Sequence, residues 1–443
     1  MALTPFTNAS TAAPNPNAPL PLNGGWRCAL DREDAGVAAR WFETRLDGAI
    51  NLPGSLEAAG IGDPVTVDTK WTGSIFDKSW FTSPAYAPYR EPGNIKVPFW
   101  LQPETHYTGA AWYQRDLAIP EEWAGRRVVL SLERPHWKTT VWLDDIEIGS
   151  NDSLSCPHEF DLGPAATPGA HVLTIRVDNT YAPEIGENSH SISDHTQGNW
   201  NGIVGRIELR TTATAWIDDF QITALPLRRE LWLRGRVSHR EGVPMPKEVE
   251  LRPNTYCGLD GDRFKAPIGP DGTFSVKAAT GGGVETWDEF SPTLLSMTAR
   301  LPNGESRTVQ FGVREISADG RQLLINGRKL FLRGTLDCAA YPITGHPPMD
   351  VAGWEHTLGI IKAHGLNHVR FHSWCPPDAA FVAADKLGVY LQVEVASWPG
   401  QGATIGDGAP VDAWLERETE RIQKTYGNHP SFILLCACNE PHG

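Results

Sequence analysis

Near Gly320 the hydrophobic pattern of this chain changes period, and the two sides of that change must fold differently. Before it, short alternating runs are broken by Pro, Gly and Asp. In HVLTIRVDN, Leu173, Ile175 and Val177 fall on one side of a strand while Thr174, Arg176 and Asp178 fall on the other. RVVLSLERP is followed by KTTVWLDDIEIG, where Asp144-Asp145 predicts a tight turn between Leu143 and Ile146. Many such strands and almost no helical period between Trp26 and Arg210 predict a large β-sandwich. A second β segment, Thr214 to Glu315, contains ELWLRGRV, GTFSVKA, LLSMTARL and RTVQFGV. Its size and strand density suit an immunoglobulin-like sandwich, without the Cys…Trp…Cys signature.

After Gly320 strands and helices alternate. FLRGT (331–335), NHVRFH (367–372), VYLQVEVA and SFILLCACNE read as strands. Between them lie AGWEHTLGIIKAHG, PPDAAFVAADKLG and DAWLERETERIQKTYG, apolar at helical spacing and each ending at Gly. That order builds parallel sheets. Val389, Leu391, Val393 and Val395 give the third strand an apolar face, but its other face carries Gln392 and Glu394. Arg370 and His372 sit likewise on the second strand. A barrel lumen near a catalytic mouth holds such charge more easily than a doubly wound sheet buried on both faces. A (β/α)₈ barrel needs about 250 residues, whereas only about 120 follow Gly320. The expected fold is therefore multidomain, β plus α/β: a disordered leader over 1–22, a jelly-roll-like sandwich over 23–213, an immunoglobulin-like sandwich over 214–316, and the first half of a TIM barrel over 317–443.

Composition narrows the function classes. With 39 Lys+Arg against 53 Asp+Glu the formal charge is −14, which argues against nucleic acid or an anionic membrane as partner. No run of 18 apolar residues predicts a membrane span. The seven cysteines, unpatterned apart from Cys436-x-Cys438, predict buried thiols and neither a disulfide framework nor a zinc site. The Pro/Ala/Asn-rich N-terminus lacks a signal peptide's basic and apolar regions, which leaves a cytoplasmic protein or a processed periplasmic or secreted one. Seventeen tryptophans suggest stacking platforms for a sugar ring as well as core filler; Trp374, Trp398 and Trp200 are candidate platforms, and core packing explains each of them equally well.

The chemistry-bearing residues gather at strand ends. Glu440, preceded by Asn439, closes the fourth strand, where a carboxylic acid could protonate a leaving-group oxygen if burial raises its pKa. Glu394 could orient a sugar hydroxyl or hold a cation; a carboxylate paired with Arg370 explains it equally well. His364, His368 and His372 have metal-like spacing but straddle a helix end and a strand, so they predict no metal site.

The sequence resembles the family 2 glycoside hydrolases, which include β-galactosidase, β-glucuronidase and β-mannosidase. AAWYQRDLAIPEEWAGRRVVLSLERPHWKTTVWLDDIEIGS, PHEFDL, HVLTIRVDN and WNGIVGRIEL resemble the sugar-binding sandwich of that family. LLINGRKLFLRGT resembles its entry into the barrel, NHVRFH its second strand, and NHPSFILLCACNE its fourth, which ends in Asn-Glu. The resemblance implies that Glu440 is the general acid/base, that Asn439 bonds the sugar 2-hydroxyl, and that Arg370 lies beneath the nucleophile. It places Asp194 near a loop by which the sandwich reaches the barrel mouth, and His372 and Trp374 in the −1 subsite. DCAAYP (337–342) and HSWCPP (372–377) depart from the family pattern there, so the sugar accepted is open. The family's nucleophile, a Glu on a later strand, has no counterpart in this sequence.

The resulting expectation is a retaining glycosidase acting on terminal non-reducing β-linked sugars, β-galactosidase-like, with β-glucuronidase or β-mannosidase specificity as alternatives. Its partner is an oligosaccharide or glycoside. No cofactor is predicted; a divalent or monovalent cation is compatible but unidentified, as is a homo-oligomer. The rival is a non-catalytic carbohydrate-binding protein with a degenerate half-barrel.

Overall fold

The computed structural model describes residues 18–73, 75–180, 184–196, 198–259, 263–281, 283–399 and 404–441. Two antiparallel sheets pack across the first core. One has four strands, in the order Leu20–Pro21, Ile207–Thr212, Arg127–Leu132 and His158–Asp161. The other has six, with Gly169–Asp178 and Ala110–Ile119 paired along their whole length at its centre. Leu173, Ile175 and Val177 are wholly buried with Leu130, Leu132, Leu209 and Tyr113, as alternation requires. The Asp144-Asp145 turn joins the expected hairpin, with Asp144 in the left-handed region at φ 55°.

Order starts earlier than the sequence reading placed it. Leu20 and Pro21 pair with Leu209 and Glu208, and Leu22 is 3 % exposed within the core. The segment before Asn23 is thus partly an edge strand, because Leu20 and Leu22 have apolar surface to cover. Residues 1–17 lie outside the described residues.

A second core, built on Phe220, Leu233, Leu251, Met297 and Ala299, lies between a three-stranded sheet and a four-stranded one. The chain then passes through a small antiparallel sheet, Ile316–Asp319, Gln322–Ile325 and Arg328–Lys329, into four parallel strands. These are β1 (Gly334–Asp337), β2 (His368–Phe371), β3 (Tyr390–Glu394) and β4 (Phe432–Cys436), adjacent in that order. Helices α1 (Val351–Ala363), α2 (Asp378–Leu387) and α3 (Pro410–Tyr426) connect them.

The first parallel strand is displaced from the expected 331–335. Asn367 takes the Arg333 N–H on its side-chain oxygen at 2.7 Å, so pairing with β2 begins only at Gly334. Phe331, expected within the strand, is 73 % exposed. Gly388 ends α2 in the left-handed region at φ 68°, as a glycine C-cap should. Gly427 differs: it ends α3 at φ −63°, and a Cβ there would lie 2.4 Å from the Gln423 carbonyl oxygen.

The apolar face of β3 joins Val369, Phe371, Trp354, Phe381, Trp414 and Ile422 in a third core beneath the helices. Burying one such large side chain contributes about 1.5–3 kcal/mol, so this layer holds the strand ends firmly. The first sandwich is locked against it. Glu418 of α3, fully buried, accepts from the Ser153 hydroxyl and from the backbone N–H groups of Leu154 and Ser155 at 2.9–3.0 Å. Arg134 donates to the Leu154 carbonyl within the sandwich and across the same junction to the Cys375 carbonyl.

Candidate functional site

Parallel pairing carries the polar faces of β2 and β3, and the residues just beyond β4, to one end of the sheet. Arg370 Nε donates to Glu394 Oε1 at 2.6 Å, and its Nη2 donates to Asn439 Oδ1, also at 2.6 Å. The second Glu394 oxygen accepts the Ser373 N–H at 2.7 Å. Glu394 is 0 % exposed; burial raises its carboxyl pKa, against the opposing pull of the Ser373 amide and Arg370. Glu394 thus stands as a carboxylate paired with Arg370.

Glu440 stands beyond, exposed, with φ 45°. The burial expected for an acid at this position is not present here. Its contact is with Trp398, whose indole N–H donates to Oε2 at 2.8 Å. His372 meets the Trp398 ring edge-on with centroids 4.7 Å apart, and His190 stacks on His372 at 4.2 Å. Protonation of both imidazoles is disfavoured: burial, then Arg370, lowers the His372 pKa, while burial and the facing histidines bring His190 down to about 3.

Asp337, at the end of β1, completes this end of the sheet. Its carboxylate accepts the Ala339 N–H at 2.8 Å, and burial raises its pKa to about 6. Its carbonyl accepts from His372 N–H and from the Trp374 indole.

Two expected site residues are elsewhere. Trp374 is 2 % exposed, wedged among Phe371, Trp354 and Tyr341, and offers no free face to a sugar. It belongs to the core because its indole reaches a backbone carbonyl without leaving apolar surroundings. Asp194 turns inward as well. One oxygen accepts the Asn199 N–H at 2.7 Å; the other accepts the Thr72 N–H at 2.6 Å and lies 3.2 Å from His106 Nε2. It is 5 % exposed and fastens the sandwich loop to itself, which is a structural task. Asp194 also borders a cavity of about 320 Å³ with Glu57, His106, Trp200 and His346. Trp200 is buried there, stacked on His136.

The loop carrying Asp194 does reach the sheet, through other residues. Ile185 accepts from Trp398 N–H and the Ser397 hydroxyl, Ser189 donates to the Ser373 carbonyl, and His190 N–H donates to the Ser373 hydroxyl. Nothing local in SHSIS marks His190; only its place in the fold does.

His364, His368 and His372 do not converge. His364 caps α1 on the Ile360 carbonyl, whereas His372 faces His190. Among the described residues no group of three His, Cys, Asp or Glu could hold a metal. All seven thiols are free, and five are buried. Among the described residues no helix is long and apolar enough to cross a membrane.

Comparison with known proteins agrees with this architecture. Residues 20–213 match the model of the glycosyl hydrolases family 2 sugar binding domain. A β-galactosidase of Arthrobacter sp. (strain B7) is 25 % identical over 96 % of this chain and 40 % of its own length. A β-glucuronidase of Sus scrofa is 22 % identical over 76 % of this chain and 55 % of its own. The chain thus spans about half the length of the curated relatives it matches. Among solved structures, a β-glucuronidase of an uncultured Clostridium sp. superposes with a TM-score of 0.68 at 19 % identity, covering 100 % of this chain and 69 % of that one. A β-galacturonidase from Eisenbergiella tayi gives 0.66 at 18 % identity, over 95 % and 65 %. At these identities the structural likeness speaks for the fold.

Proposed function

We propose, from the premise that the chain is a member of glycosyl hydrolase family 2 through its residues 20–213, that it supplies the acid/base half of a retaining exo-β-glycosidase. The carrying observation is the array Arg370–Glu394–Asn439 with Glu440 beside it at one end of parallel strands, where barrel enzymes assemble active sites. On this reading residues 317–443 are the first half of a (β/α)₈ barrel behind two sandwiches, 23–213 and 214–316. Glu440 protonates the glycosidic oxygen, a carboxylate attacks the anomeric carbon, and Glu440 then activates water. Asn439, oriented by Arg370, is placed to bond a hydroxyl of the bound sugar.

The attacking carboxylate must stand roughly 5 Å from the acid. Glu394 is committed to Arg370 and Ser373, and the family resemblance puts the nucleophile, a Glu on a later strand, outside these 443 residues. A neutral β-galactoside-like substrate is favoured over a uronide. On this side of the cleft the described residues offer imidazoles whose protonation burial disfavours, and Arg370 is already balanced by Glu394.

The test is a leaving-group series on an enzyme form with a complete barrel. Glu440→Gln should lose turnover of alkyl glycosides far more than of activated aryl glycosides, which need little protonation. Equal losses in kcat/KM on both would remove Glu440 from the acid role. The 443-residue chain alone should hydrolyse neither; robust turnover by it would overturn the placement of the nucleophile.

A further inference from the structure

Trp398 lies four residues beyond β3, and the first sandwich fixes its backbone. Its N–H donates to the Ile185 carbonyl at 2.8 Å, and the preceding Ser397 hydroxyl donates to the same oxygen at 3.1 Å. Gly186 presses so closely that a Cβ there would lie 2.3 Å from the Trp398 carbonyl oxygen. The ring is held separately. His372 meets it edge-on at 4.7 Å and His190 at 5.5 Å, the two imidazoles being stacked on each other. His190 is in turn tied by its N–H to the Ser373 hydroxyl at 2.9 Å. A ring restrained on both counts has one polar atom, and that atom points at Glu440 Oε2 from 2.8 Å.

An indole N–H can donate and cannot accept. Oε2 of Glu440 is therefore an acceptor in either protonation state of the carboxyl, and since a carbonyl oxygen accepts better than a hydroxyl, this contact favours the mobile proton on Oε1. We infer that Trp398 is a positioning residue for Glu440, selecting Oε1 as the oxygen that gives and takes the proton, and that the sandwich segment Ile185–His190 sets its stance. This rests on Glu440 being the acid/base, but the contact itself can be tested apart from that reading. It also changes the role expected of Trp398, from a platform beneath a sugar to a strut behind the acid.

Two-dimensional ¹H–¹⁵N spectra of the 443-residue chain read the contact without turnover. The Trp398 indole cross-peak is the one lost in Trp398→Phe. It should move by more than a linewidth in Glu440→Ala, a change at an exposed residue that removes the acceptor, while the other indole peaks stay in place. A Trp398 peak that does not respond to Glu440→Ala overturns the inference. In a form that turns over glycosides, Trp398→Phe keeps the ring and loses the donor. It should reduce kcat for alkyl glycosides by roughly tenfold, the scale of one hydrogen bond, with KM little changed and activated aryl glycosides nearly spared. Equal losses on both substrate classes, or a loss confined to KM, would overturn the positioning role. A responsive Trp398 peak, together with a complete-barrel form that hydrolyses no glycoside, would leave the contact standing and count against the glycosidase reading alone.

Discussion

Arg370 and Glu394, on adjacent parallel strands, share a 2.6 Å ion pair in which the carboxylate is fully buried and the guanidinium is 35 % exposed. A pair so placed contributes less by its attraction than it would cost if broken, because the survivor is left charged and desolvated. Arg370→Met should therefore destabilise the chain by about 3 kcal/mol, the lower end of the range for buried pairs since Arg370 is partly wet. The double variant with Glu394→Gln should recover part of that loss. Urea unfolding measures both, and a double variant no more stable than the single one would contradict the argument.

Asp194→Ala should unfold the first sandwich more easily, contrary to what a reaching loop residue would do. It strips the acceptor from two buried N–H groups, those of Thr72 and Asn199. Each unsatisfied donor costs about 1–3 kcal/mol, so a loss of about 2–6 kcal/mol is expected. Thermal unfolding followed by near-ultraviolet circular dichroism would register it; an unchanged melting temperature would return Asp194 to the list of binding residues.

His429 predicts a pH dependence on the alkaline side. Burial alone would lower its pKa, but Asp378 and Asp385 (the latter 2.6 Å from Nδ1) raise it to about 9. A raised folded-state pKa stabilises fully below the unfolded value near 6.5, and the contribution is lost as pH climbs toward 9. The fall amounts to about 3 kcal/mol at most. Melting temperatures of the wild type should drop across that window, whereas His429→Gln should be less stable at pH 6 and flatter above it. Parallel profiles for the two proteins would exclude the effect.

Gly186→Ala should loosen the sandwich from the parallel sheet. The position has φ +94°, which costs a side chain about 1–2 kcal/mol, and the new methyl would collide with the Trp398 carbonyl. Limited proteolysis should cut near Trp398 sooner in the variant; identical cleavage rates would show that the contact bears no strain.

Much of this was legible beforehand where periodicity governs. Leu173, Ile175 and Val177 had one possible face, and the strand–helix alternation after Gly320 set Arg370 and Glu394 on adjacent parallel strands, with Asn439 reaching them from beyond the fourth. Periodicity is silent on which of two residues after a strand turns outward. Trp374 and Trp398 both follow strand ends, yet Trp374 sank into the core and Trp398 reached Glu440. Polar loops mislead for a related reason: Asp194 looked available, but buried amides nearby needed an acceptor. His190 was missed because its importance comes from residues nearly two hundred positions away in the chain.

Glu418 bears on how such proteins can diverge. Three of its donors come from Ser153, Leu154 and Ser155, in the first sandwich, while the carboxylate itself and a fourth donor, Arg421, belong to α3. Recombination between relatives with a crossover between Ser155 and Glu418 would separate the acid from its sandwich donors, leaving Arg421 alone to satisfy a buried carboxyl that faces an unmatched loop. Exchange of the N-terminal module should thus be inherited together with α3 or fail, and sequence change on either side of that joint should be correlated across lineages.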